Sequence, residues 1–169
     1  MRMLNELIRR NIKLFFKDKG LFFSSLITPL ILFLLYVTFL GRLYKQTFEN
    51  NLPSILKIPE QLIDGLVGGQ LLSSIIAVSC ITVSFCANIL MVQDKVSGSI
   101  RDIKISPVKS TTISLSYFIS SYITSLIICL ISTGLCLGYT ALVGWYYTAW
   151  DVVIIVFDVI LLVLFGTAL

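Results

Sequence analysis

The stretch "QDKVSGSIRDIKISPVKS", Gln93 to Ser110, interrupts two long apolar runs. It carries Lys95, Arg101, Lys104 and Lys109, interleaved with Val96, Ile100, Ile103 and Ile105. Ser97-Gly98-Ser99 can break one helix and cap the start of another. Ser106-Pro107 closes the new helix, because the residue before a proline is pushed out of the α region. Between these signals there is room for one to two helical turns, roughly 10 Å. Ile100 and Ile103 fall on one face, with Arg101, Asp102 and Lys104 around the rest. A helix this short is rarely stable alone, so it makes sense if something docks against it.

The surroundings explain why such a polar island is unusual. The chain has 169 residues, 57% hydrophobic and 13% charged, with a mean hydropathy of +0.95. A soluble domain carries about 25% charged residues, so a bilayer is the natural solvent here. Working outward from Gln93–Ser110, apolar runs cover Leu21–Gly41, Gly65–Val92, Thr112–Val143 and Val152–Leu169. A helix needs about 20 residues to cross a hydrocarbon core of about 30 Å. The first three runs meet that length and the fourth just reaches it, ending at Leu169 with no polar anchor after it. The expectation is a chain cut short within a larger protein.

The resulting layout is all-α: a polytopic transmembrane helix bundle in one domain, 1–169. It divides into an interfacial helix (1–20), span one (21–41), an outer loop (42–64), span two (65–92), the polar connection (93–111), span three (112–143), a second outer loop (144–151) and span four (152–169). Lys and Arg set the orientation. Arg2, Arg9, Arg10, Lys13, Lys17 and Lys19 precede span one, and four more cations lie in the opening stretch. The loop after span one balances Arg42, Lys45 and Lys57 with Glu49, Glu60 and Asp64, and Gly144–Asp151 has no Lys or Arg. The N-terminus and Gln93–Ser110 therefore belong in the cytosol of a multi-pass protein of the cell membrane. Trp145–Trp150, "WYYTAW", suits the outer headgroup level.

Before span one, Leu4, Leu7, Ile8, Ile12, Phe15 and Phe16 recur at helical steps among cations. This predicts a helix in the interface plane, apolar face in the acyl boundary and cations near lipid phosphates. It serves either as a topology anchor or as a lever moved by a partner. Ser73, Ala77, Cys80, Ser84 and Asn88 form a stripe of small and polar residues on span two, and Ser116, Ser120 and Thr124 one on span three. Gly134 and Gly138 form a GxxxG pair. Such stripes mean close helix packing or a polar-lined pathway. Pro29 predicts a kink in span one, either tolerated or a gating hinge. Asp158 is the one acid well inside a span, and at that depth it should face protein or water. It serves an interhelical hydrogen bond or a proton relay.

Several classes of function drop out. There is no GxxxxGK[ST] phosphate loop, and the absence of His excludes Ser-His-Asp and Cys-His pairs. Cys80, Cys86, Cys129 and Cys136 lie in apolar runs without metal-site spacing. The basic segments are membrane-proximal and lack interleaved aromatics, which argues against nucleic-acid binding. No cofactor and no catalytic residue is expected. A transport subunit, an ion-coupled carrier and a structural tetraspan protein remain.

Residues Gln93–Phe118, "QDKVSGSIRDIKISPVKSTTISLSYF", resemble the cytosolic loop of type-2 ABC transporter permeases, the membrane subunits of many ABC exporters. Asp94-Lys95, Gly98-Ser99-Ile100 and Ile105-Ser106-Pro107-Val108 carry the resemblance, with Asp94 where Glu is common. "LIRRNIKLFFKDKGLFFSSLITPLILFLLY" is similar to the family's elbow helix running into a first span that contains proline. The family usually has six spans, whereas this sequence stops in the fourth. The resemblance implies that the short helix is a coupling helix received by a separate ABC ATPase subunit, with Asp94, Gly98, Ile100, Arg101, Ile103, Ile105 and Pro107 at the junction. It implies further that Ile100, Ile103 and Ile105 are buried contacts, and that a second permease chain, identical or paralogous, completes the transporter in the bilayer. The alternatives are a stand-alone four-span carrier that uses Asp158 for proton coupling and a non-transporting scaffold.

Overall fold

A computed structural model describes residues 2–51, 60–105, 109–143 and 147–169, and these residues are almost entirely helical. The helices are α1 (Arg2–Lys17), α2 (Lys19–Leu35), a π-helical turn (Tyr36–Leu40), α3 (Gly41–Asn51), α4 (Glu60–Val96), α5 (Ser99–Ile105), α6 (Ser110–Val143) and α7 (Ala149–Ala168). Among the described residues, four segments are long and apolar enough to cross a membrane: Lys19–Tyr44, Gly65–Val96, Ser110–Ala141 and Ala149–Ala168. The all-α polytopic bundle expected from hydropathy is the fold observed.

The two central helices are α4 and α6, which share the most extensive interface; α2 flanks α4, and α7 packs on both. The core between them is aliphatic, with Leu71, Ile75, Val83, Ile128, Val159 and Val163 buried. Small residues bring α7 close. A Cβ added to Gly166 would sit 3.0 Å from Ser84 Oγ and 3.4 Å from the Cys80 carbonyl oxygen. Gly134 and Gly138 behave differently: their would-be Cβ atoms meet nothing within 4 Å. The GxxxG pair therefore packs no helix among the described residues.

Asp18 separates α1 from α2. Its backbone is extended (φ −77°, ψ 98°), and its carboxylate accepts hydrogen bonds from the Gly20 and Leu21 amides at 2.9 and 3.3 Å. That N-cap satisfies orphan donors of α2 and ends the preceding helix. Helix α1 folds back onto the helices that follow it. The helix lies mainly along α6, and Asn11 and Phe15 are each 1% exposed. Leu4, Leu7, Ile8 and Ile12 are only partly covered and Phe16 is 40% exposed, with Arg9, Lys13 and Lys17 outward.

The first span is longer and less regular than its hydropathy implied. Pro29 is buried within α2, and the helix runs on through the π turn into α3. Inside the turn Tyr36 is turned inward, and its hydroxyl donates to the Val67 carbonyl of α4 at 2.9 Å. The Thr38 hydroxyl donates to the Leu34 carbonyl at 2.8 Å. A single widened turn of this kind re-aims side chains without ending the helix.

Candidate functional site

The connection from α4 to α6 gathers the chemistry at one end of the bundle. After Val96 the chain turns at Gly98, whose φ of +80° lies in the left-handed region. Glycine adopts that conformation without the Cβ penalty of other residues. The Ser97 amide donates to the Gln93 carbonyl at 2.8 Å, and the Ser97 and Ser99 hydroxyls share a 3.0 Å hydrogen bond. Helix α5 then runs seven residues and packs chiefly against α4. Val96 and Ile105, at the two shoulders of this tip, are each 83% exposed. Ile100 and Ile103 are partly covered. Ile105 faces out at the end of a helix too short to carry its own core. The side chains of Arg101, Asp102 and Lys104, and Ser106, Pro107 and Val108 altogether, lie outside the described residues.

Directly beneath the tip is a polar cluster. Asp94 Oδ2 accepts a hydrogen bond from the Tyr117 hydroxyl of α6 at 2.5 Å and pairs with Arg10 of α1 at 3.1 Å. The same Arg10 nitrogen donates to Asn11 Oδ1 at 3.1 Å. One carboxylate thus ties three helices together, one turn before the α5 hinge. Burial opposes the Arg10 charge, but its hydrogen bond with Tyr117 and the Asp94 carboxylate outweigh that, and its pKa is raised. Among the described residues, buried Asn11 Nδ2 has no hydrogen-bond partner. The sequence reading singled out Asp94 for its place in the loop pattern. It missed Arg10, Asn11 and Tyr117, because nothing in linear order shows that α1 folds back onto α6.

The predicted stripes divide. On α4, Ser84 is buried, Ala77 and Asn88 are half-covered, and Ser73 is exposed with its hydroxyl bonded to the Gly69 carbonyl. On α6, Ser116, Ser120 and Thr124 are all buried. Their hydroxyls donate to carbonyls of Ile113, Tyr117 and Ser120 on their own helix, at 2.7–2.9 Å. A hydroxyl bond that crosses between helices runs instead from Ser121 to the Ala87 carbonyl, at 3.4 Å. The four cysteines carry free thiols, with Cys80, Cys129 and Cys136 buried. Asp158 is exposed, and among the described residues it has neither an ion pair nor a hydrogen bond. The interhelical hydrogen bond expected for it is absent there, because α7 faces the bundle with Val159, Val163, Gly166 and Thr167 and turns Asp158 away.

Four membrane-length helices with a structured hairpin at one end, and a fifth helix tied to its base, define a polytopic membrane protein. The chain belongs to the ABC-2 type transporter family, whose model matches residues 3–169. It is accordingly a permease component of an ABC-type transporter, a transport domain rather than a catalytic one. Comparison with curated proteins and with solved structures gave no match.

Proposed function

We propose that this chain is the permease subunit of an ATP-driven exporter, and that α5 is the coupling helix through which a separate ATP-binding subunit drives it. The observation that carries this reading is the pair of bare aliphatic side chains, Val96 and Ile105, flanking the Gly98 turn. Helix α4 has 37 residues, about 55 Å, against a hydrocarbon core of about 30 Å. It is long enough to carry the Gly98 turn just past the lipid headgroups, and the cations Lys95 and Lys109 support a cytosolic α5 end. Two large aliphatics left bare on a hinge are explained by a partner surface that covers them.

The cluster beneath gives the push somewhere to go. Displacing α5 moves the end of α4, and Asp94 passes that movement to α1 through Arg10 and to α6 through Tyr117. Two such permease chains, each pressed by an ATP-binding subunit, would alternate access to a pathway between them. The N-terminal helix then acts as a lever as well as an anchor. The carrier alternative rests on Asp158, which has no partner among the described residues to relay a proton, and a scaffold has no need of a docking tip.

The test is co-purification of the full-length chain with its co-expressed ATP-binding subunit. Ile105→Asp should reduce recovery of that subunit at least tenfold while leaving the permease's melting temperature unchanged, since Ile105 contributes nothing to its core. Recovery equal to wild type would sink the docking assignment.

A further inference from the structure

Next to the polar cluster lies a cleft of about 420 Å³, lined by Met91 and Lys95 of α4, Ile100 of α5, and Ser110, Ile113, Ser114 and Tyr117 of α6. Its walls are of two kinds. Lys95, Ser110 and Ser114 form a cationic, hydroxyl-bearing part, and Met91, Ile100 and Ile113 an apolar part. Lys95 is exposed and has no ion pair among the described residues. The carboxylate next to it in sequence, Asp94, is already countered by Arg10. Exposed Lys109 adjoins Ser110 and adds a second cation near the mouth.

We infer that this cleft binds the phosphate headgroup of an anionic phospholipid, with Lys95, Ser110 and Ser114 on the phosphate and Met91 and Ile113, deeper along α4 and α6, against the start of the acyl region. Charge complementarity selects the occupant's sign, and the mixed lining selects an amphiphile over a free anion. The inference rests on the orientation proposed above, which puts the cleft at the headgroup level of the cytosolic leaflet, where anionic lipids attract membrane-proximal lysines. A lipid seated there touches α4, α5 and α6 together. It would brace the coupling helix against the spans it drives, so the stiffness of the coupling would depend on membrane composition.

The test uses the purified full-length chain without any ATP-binding subunit, with lipid retention read by native mass spectrometry against mixtures of phosphatidylglycerol and phosphatidylcholine. Wild type should retain one phosphatidylglycerol in clear preference to phosphatidylcholine. Lys95→Gln should weaken that retention about fivefold, the scale of one lysine at an anionic surface. Ser114→Trp, which fills the mouth from an exposed position without changing charge, should weaken it at least as much. Lys13→Gln, on the outward face of α1, and Ile105→Asp, on the docking tip, should leave it unchanged. Equal retention of the two lipids, unaltered binding in both cleft variants, or an equal loss in Lys13→Gln would overturn the site. Displacement of the lipid by millimolar inorganic phosphate would overturn the choice of a phospholipid. Because Ile105→Asp probes docking and the cleft variants probe lipid, failure of either reading leaves the other standing.

Discussion

Asparagine at position 94 should loosen the junction of three helices without changing its shape. Asp94 Oδ2 receives the Tyr117 hydroxyl at 2.5 Å and Arg10 at 3.1 Å. The Arg10 side chain is 36% exposed, so solvent screens the ion pair, and it contributes about 1 kcal/mol or less. The bond from Tyr117 is shielded and charge-assisted, in the class that contributes about 1.5–3 kcal/mol. Asparagine keeps an acceptor for the hydroxyl but loses the charge, so Asp94→Asn should destabilise by about 1.5–2.5 kcal/mol. At about 2–4 °C per kcal/mol for a chain of this size, the melting temperature in detergent should fall by about 3–10 °C. Tyr117→Phe alone should cost a similar amount. Asp94→Asn combined with Tyr117→Phe should cost about 1 kcal/mol less than the sum, because both remove one shared interaction. Strict additivity, or an unchanged melting temperature in Asp94→Asn, would refute the assignment of Asp94 as the tie between α1, α4 and α6.

Gly98→Ala places a Cβ in open space at φ +80°, so its only cost is the backbone penalty of about 1–2 kcal/mol. Hydrogen exchange across α5 should accelerate in Gly98→Ala and stay near wild type in Gly98→Asn, since asparagine tolerates the left-handed region. Gly166→Val forces atoms into Ser84 and the Cys80 backbone, and thermal unfolding should register a loss of about 1–3 kcal/mol, partly recovered by adding Ser84→Gly. Asp18→Ala removes the N-cap of α2 and should cost about 1 kcal/mol by the same measurement.

The spans and the short helix were legible because their signals are local. Hydropathy runs long enough to cross a bilayer mark α4, α6 and α7, and Gly98 marks the turn before α5. Less legible was anything that depends on how helices meet. The amphipathic pattern of α1 identifies a helix but not the side on which it meets α6, since an apolar face fits lipid and protein alike. Arg10 reads as one of six N-terminal cations, and only the fold of α1 onto α6 sets it beside Asp94. The π turn at Tyr36–Leu40 has no motif of its own, and it accompanies the bond from Tyr36 to the Val67 carbonyl, a contact between distant parts of the chain. The stripe on α6 was read as small residues that pack or line a path. Those hydroxyls are buried but turn back onto their own backbone, an option that spacing cannot exclude.

The proposed function depends above all on an ATP-binding subunit engaging the tip that bears Ile105. A photo-crosslinking amino acid at position 105 tests it most directly, with a second probe at position 148, an exposed site at the opposite end of the bundle. In native membranes holding the full-length permease and its ATP-binding subunit, the probe at 105 should crosslink to that subunit in a nucleotide-dependent way. The probe at 148 should not crosslink to it. A crosslink from 148, or none from 105 under any nucleotide condition, would contradict both the docking and the orientation.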